Sequence, residues 1–478
     1  EWPRIKTSDD WPTFAGSPTR NKSFSHAVEL GSLRWRQPLD PAPAPELSYS
    51  ARRVAERKEA MLSYHPLLVD GLVLVNNADE IRAFDAKTGK PAWSDDPIIY
   101  APDRAALATV RPMHARHSSH GAPRFTMTAF NHRLYARMGN PATSVMNEIF
   151  GQPQQGYLVC LDLKAEGKLI WDSRRSMPRE EAWSFEGSPL SDGACVYVAM
   201  RRSGVQPQAH VACLDAETGR LRWRKLVCSA ESPAQNQMEE VTHNLLTLDH
   251  GTLYYNTNLG AVAALDARDG QPRWISRYRR VKSIEVNDRA KHLYRDLTPC
   301  LYDRGVVYVA PADCREILAI DASTGMLLWP FEHAEDAVHL LGVGGGNLLA
   351  SGDKLWWIDT ATSKAACVPF PEQPSPKGFG RGVLAGDLVY WPTQTKIYVF
   401  DQKTGQRRGE IELTTRGTDI TGGNLLVNGD SLLIATSREL LSFSPFAGLR
   451  DGISPDAARG RQELSRQQQG TVEHASRR

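Results

Sequence analysis

The chain has 478 residues, 41% of them hydrophobic, with 12 Trp; this is a globular composition, too long for one ordinary compact core unless it is built from repeats. A net charge of +2 gives no strong pull toward nucleic acid or acidic lipid, and no apolar run approaches the ~18 residues of a membrane span. The seven Cys form no CxxC, CxxCH or adjacent pair, which argues against zinc, attached haem and a vicinal disulfide; their odd number leaves at least one without a partner in the chain.

The opening "EWPRIKTSDDWPTF" carries neither a signal-peptide core nor an initiator Met, and reads as the start of a mature form or of a piece of a longer protein. Residues 1–30 are read as an N-terminal segment packing on the body, and 31–445 as the body itself. "SLRWRQPL" then places Trp35 on a strand with no hairpin before it. From there a unit recurs: small–apolar–Asp–x–x–Thr–Gly–x–x–x–Trp. It reads "AFDAKTGKPAW" from Ala83, "CLDLKAEGKLIW" (one residue longer) from Cys160 and "CLDAETGRLRW" from Cys213. "ALDARDGQPRW" from Ala264 and "AIDASTGMLLW" from Ala319 follow, then the weaker "WIDTATSKAAC" from Trp357 and "VFDQKTGQRRG" from Val399.

The segment before each Asp alternates as a strand does, Asp caps the turn, and Gly takes the left-handed conformation that ends it. Trp lands on the return strand, where burying its ~200 Å² is worth at most roughly 5 kcal/mol. The small residue two before Asp supplies room for a neighbouring ring: Ala83, Cys160, Cys213, Ala264, Ala319. Where it is enlarged, at Trp357 and Val399, the unit's own Trp is replaced by Cys367 and Gly409. Cys160 and Cys213 therefore read as stand-ins for Ala.

Two further strand-like runs precede each unit, and four strands in roughly 40 residues is the period of a propeller blade. Seven Asp units plus a split closing unit, made from Trp35's strand and "LLIATSRELLSFSP", predict an all-β, eight-bladed β-propeller of four-stranded antiparallel blades. Seven blades with an irregular cap is the alternative.

Insertions are expected near 95–122 and 276–297. The first holds His114, His117 and His120, which could gather around zinc or copper, or lie in an exposed polar loop. The second, with Arg279, Arg280, Lys282, Arg289, Lys291 and Arg295, reads as a solvated loop or a face for an acidic partner. "HLLGVGGGN" at 339–347 lacks the third Gly of a dinucleotide loop and reads as a turn. Aligning the blades puts His65, Arg124, Ser188, His243 with Asn244, Thr298, Arg381 and Asn424 where innermost strands begin. Such positions ring one mouth of a propeller channel, and His65, Arg124, His243, Asn244, Arg381 and Asn424 would suit an anionic group or a polypeptide carboxylate. Residues 446–478, polar and without Trp or Tyr, read as a flexible tail.

From residue 10 through about Pro445 the chain resembles the quinoprotein-type repeat family, named after pyrroloquinoline quinone, whose signature is this same Asp–x–x–Thr–Gly–x–x–x–Trp unit. The resemblance is strongest to non-catalytic bacterial members like the lipoprotein of outer-membrane β-barrel assembly. It implies a scaffold for protein–protein interaction or assembly in the periplasm or exported cell envelope, with protein partners and no cofactor. The family's dehydrogenases imply the alternative, a quinone- or metal-dependent oxidoreductase at the channel mouth. In those enzymes the quinone sits between a Trp and a vicinal Cys–Cys disulfide, over calcium, with an Asp base; this chain has no adjacent Cys pair. A ligand-sensing module of a larger protein is a third reading.

Overall fold

Alternating apolar runs punctuated by two hairpins and one Asp–Gly turn give four strands per repeat. The computed structural model describes residues 10–28, 31–39, 62–95, 97–100, 119–120, 124–139, 142–143, 156–177, 183–202, 206–231, 239–281, 295, 297–367, 370, 374–413 and 420–445. These residues form an eight-bladed propeller of four-stranded antiparallel sheets. The fourth blade is a regular one: Leu246–Asp249, Thr252–Asn256, Ala261–Asp266 and Pro272–Arg277, from the axis outward. In the third, the innermost strand is in two pieces, Trp183–Phe185 and Leu190–Ser191, both paired with Cys195–Arg202. A single helical turn, Ser173–Ser176, capped by Asp172, is the α-helix among the described residues.

The closing blade joins Asn424–Asn428, Ser431–Ala435 and Glu439–Ser444 to Ser32–Pro38. The split is three strands to one rather than half to half. "HLLGVGGGN" is the hairpin between His339–Gly344 and Asn347–Ser351, with Gly345 and Gly346 at positive φ.

The recurring turn is built as its residues dictate. Asp215 Oδ1 accepts from the backbone of Glu217 and Thr218 and from the Thr218 hydroxyl, at 2.9–3.1 Å. Asp85, Asp321, Asp359 and Asp401 bind their Thr in the same way. Across each hairpin the small residue faces the unit's own Trp: Cys160 opposite Trp171, Cys213 opposite Trp223, Ala264 opposite Trp274, Ala319 opposite Trp329.

That Trp reaches the next blade. The indole N–H groups of Trp35, Trp171, Trp274 and Trp329 donate to the carbonyls of Ala86, Ala216, Ala322 and Thr360. Each acceptor is the residue after the neighbouring blade's Asp. The two irregular units obey the same rule. Trp357 has crossed the ladder to the third strand, opposite Ala366, and still donates to Gln402 in the seventh blade. The seventh blade's unit has no Trp on its return strand, where Gly409 stands opposite Val399, and its neighbour, the closing blade, has no Asp turn to receive one.

Residues 10–28 run across one end of the ring. They bond in turn to Leu68, Ala129, Leu248, Tyr302, Val343, Leu384 and Tyr390, touching the first, second, fourth, fifth, sixth and seventh blades.

Candidate functional site

Innermost strands of adjacent blades touch around the axis, so the residues at their starts converge. The structure brings Arg124, His243 and Arg381 within electrostatic reach of His65 and adds His339, the sixth blade's counterpart. None of the six predicted mouth residues is displayed: His65, Arg124, His243, Asn244, Arg381 and Asn424 are all buried.

Several of them tie blade to blade. Arg124 donates Nη1 to the Leu62 carbonyl at 3.1 Å. Asn424 accepts from the Arg381 backbone at 2.9 Å and donates to the Tyr64 carbonyl at 2.9 Å. Arg381 donates Nη2 to the carbonyls of Leu340 and Leu341. Thr126, between His243 Nε2 at 2.8 Å and Ser188 Oγ at 2.9 Å, links the second, third and fourth blades.

The N-terminal segment completes the cluster from below. Arg20, 1% exposed, bonds the Leu246 carbonyl through Nε and Nη2 and the Phe14 carbonyl through Nη1. Phe14 stands edge-on to His65 at 5.2 Å and lies 5.3 Å from the Arg381 guanidinium. A narrow cavity here is lined by Phe14, Arg20, Thr298, His339 and Arg381 among others. His65 Nε2, Arg381 Nε and His339 Nδ1 are buried without a hydrogen-bond partner among the described residues.

Like charges crowd this space. Burial, then Arg124, His339, His243 and Arg381, hold the His65 imidazole well below its ordinary range. His339 falls to about 3 through burial and then Arg381 and Arg124; His243 is lowered by burial, Arg137 and Arg124. Burial brings Arg381 down to about 10, and burial with Arg381 brings Arg20 to about 9.

Asn244 serves a different group. It donates to both oxygens of Glu186 at 3.1 Å and accepts from Asn258 at 2.7 Å. Glu186 also receives Arg201 Nε at 2.9 Å and the Tyr255 hydroxyl at 2.8 Å, with both Glu186 and Arg201 fully buried.

The other sequence candidates fare unevenly. His114 and His117 lie outside the described residues, as do 446–478, and of His120 only the backbone is described. Ser119–His120 pairs with Glu239–Glu240, part of a small sheet completed by Ala142–Thr143. In the basic insertion, Arg295 is not a docking group: it is fully buried and donates to the carbonyls of Ala334, Ala337 and Cys314. Arg280 is paired with Asp313 at 2.7 Å, while Lys282, Arg289 and Lys291 lie outside the described residues. Cys160, Cys195, Cys213, Cys228, Cys300 and Cys314 are free thiols.

These residues do not fit the quinone and calcium of the dehydrogenases. A divalent cation needs hard carboxylate oxygens, yet the cluster is cationic, and the Glu186 carboxylate is taken by Arg201, Asn244 and Tyr255. No group of three or more His, Cys, Asp or Glu able to hold a metal occurs among the described residues.

Sequence reasoning missed His339, Arg20 and Phe14. The alignment that exposed His65 and Arg381 had a vacancy at the sixth blade, which could have led to His339. No local signal marks Arg20 as a channel residue.

Residues 154–298 and 297–476 match the family model described as outer membrane protein assembly factor BamB. Alcohol dehydrogenase (quinone) dehydrogenase subunits from Gluconobacter oxydans and Gluconacetobacter polyoxogenes are 30% and 28% identical over 168 and 167 residues. Each match covers 33% of this chain, and the chain spans less than a fifth of those relatives (18% and 19%). Among solved structures, BamB from Moraxella catarrhalis has a TM-score of 0.54 at 14% identity, covering 87% of this chain and 100% of its own. Quinohemoprotein alcohol dehydrogenase from Comamonas testosteroni has a TM-score of 0.57 at 14% identity, covering 92% and 82%. At such identity these two likenesses speak for the fold.

Proposed function

We propose, from the premise that this chain belongs to the family described as outer membrane protein assembly factor BamB, that it is a non-catalytic scaffold binding protein partners at the bacterial envelope. The observation that carries this reading is where the chain leaves apolar surface. The outermost strands of the second to fifth blades display Ile170, Leu226, Ile275, Leu327 and Leu328, with Met326 just before the last of these strands, at 40–67% exposure. The seventh blade's outer strand, Arg407–Glu412, is instead charged and laced with ion pairs such as Arg408 to Asp401. One-sided apolar rims of this kind mark interaction surfaces, and an outer strand offers unpaired backbone for strand addition.

Native mass spectrometry of the protein drawn gently from its own source tests the reading. A stoichiometric polypeptide partner, lost when Leu226, Leu327 and Leu328 are together changed to Ser, is the expected result. A partner that survives those changes, or a lone chain carrying a few hundred daltons of small molecule, overturns it.

The matches to quinone dehydrogenase subunits favour a second reading, an oxidoreductase. It predicts dye reduction with alcohols or sugars once quinone and calcium are supplied; silence across that panel counts against it.

A further inference from the structure

We propose that Cys195 and Cys213, on neighbouring strands of the third blade, are a peroxide-sensitive thiol pair: a hydroperoxide oxidises Cys195, and Cys213 closes a disulfide onto it. This goes beyond the scaffold reading and does not rest on it.

The first ground is the ladder. Cys195 pairs with Asp215 and Cys213 with Tyr197, so the two cysteines share one face, diagonal across adjacent strands. Their thiols meet in a hydrogen bond, Cys213 donating. A disulfide closes only between cysteines that already approach each other, and here sulfur faces sulfur.

The second ground is the setting of Cys195. It is partly exposed, whereas Cys213 is buried. Arg222 Nη1 donates to Cys195 Sγ at 3.2 Å, and its Nη2 is held by Asp215 at 2.6 Å. A guanidinium and a thiol donor stabilise a thiolate, which is the species that peroxides oxidise. The Cys213 hydrogen bond, with Tyr197 and Arg222, outweighs burial and Asp192 and brings the Cys195 thiol down to about 7. Cys213, which donates that bond and lies in the core, is pushed up.

The third ground is that packing requires neither sulfur. The corresponding diagonals in other blades are Leu72 with Ala83, Thr252 with Ala264 and Val306 with Ala319. In the second blade Cys160 has Arg133 as its diagonal neighbour, and burial pushes its thiol up to about 12.

The chemistry balances with the peroxide as oxidant. The Cys195 thiolate attacks one peroxide oxygen, the O–O bond breaks, and the other oxygen leaves as hydroxide or alkoxide, giving a sulfenic acid. Cys213 sulfur then attacks Cys195 sulfur, the S–O bond breaks, and the departing hydroxide takes the Cys213 proton as water. Two electrons pass from the two thiols to the peroxide.

The test takes fully reduced intact protein, treats it with a few equivalents of hydrogen peroxide, blocks it with iodoacetamide in denaturant and maps its peptides by mass without reduction. A Cys195–Cys213 cross-link is expected, forming at least about tenfold faster than oxidation of Cys228, which is also partly exposed but whose thiol bonds to Thr257. Cys213→Ala installs the residue that three other units carry, so the fold is kept. It abolishes the cross-link, leaves Cys195 as a sulfenic acid that dimedone traps, and moves the midpoint of Cys195 alkylation upward from pH about 7. Three outcomes overturn the proposal: both thiols still reduced where Cys228 is oxidised, Cys195 oxidised without joining Cys213, or an alkylation midpoint unmoved in Cys213→Ala.

Discussion

The indole N–H of Trp171 donates to the carbonyl of Ala216 at 3.0 Å, joining the second blade to the third. Its ring lies on Gly219, where an added Cβ would come within 2.6 Å of the ring. The Gly of the repeat therefore has two tasks, a φ of +67° and a seat for the neighbour's Trp. Gly71, at φ +77°, has only the first, with nothing within 4 Å of its Cβ position.

Replacing each with Ala separates the two tasks. Gly71→Ala should cost about 1 kcal/mol from backbone strain alone. Gly219→Ala adds a ring collision and should cost about 2–4 kcal/mol. Urea midpoints of the two variants, measured side by side, decide the matter; equal shifts would mean the Trp seat is not under steric control.

Cys160 and Cys213 hold the place that Ala holds in three other units. Cys160→Ala and Cys213→Ala should each change stability by about 1 kcal/mol or less. Cys213→Leu would push into Trp223, its cross-strand neighbour, and cost about 2 kcal/mol or more. Denaturation of the three variants tests whether these positions are packing or chemistry.

The blade count, the Asp turn and the pairing of small residue with Trp were legible because each is local, lying within one hairpin. The meaning of the exceptions was not. Trp357 and Gly409 make sense only when the acceptor in the next blade is seen, some 45 residues on for Trp357 to Gln402. The site was half legible for a similar reason. Alignment placed His65, Arg124, His243 and Arg381 at strand starts, but a polar strand start looks the same whether it faces solvent or is buried. Arg295 was misread in the same way: a basic run suggested a surface, whereas its guanidinium braces the buried carbonyls of Ala334 and Ala337.

Stability should fall on mild acidification. His65, His243 and His339 have folded pKa values below the unfolded value of about 6.5. The folded state then binds fewer protons, so each contribution is complete above pH ~6.5 and is lost as pH drops toward the folded value, about 3 for His339. The slope approaches about 1.4 kcal/mol per pH unit for each such imidazole. Chemical denaturation at pH 7 and pH 5 should show this loss, reduced in His243→Gln. An unchanged pH dependence in that variant would place the loss elsewhere.

The Glu186–Arg201 pair offers the opposite electrostatic case, a buried cation that has its counter-charge. Glu186 is fully buried and fully engaged, accepting from Arg201, Asn244 and Tyr255. Glu186→Gln keeps the shape and removes the charge that Arg201 faces in this pair; the cost should be about 3–5 kcal/mol. Glu186→Gln with Arg201→Gln removes both charges and should recover much of that loss. A double-mutant cycle by urea denaturation measures the coupling. If the single and double variants are equally destabilised, the role of Glu186 lies in its bonds to Asn244 and Tyr255 rather than in its charge.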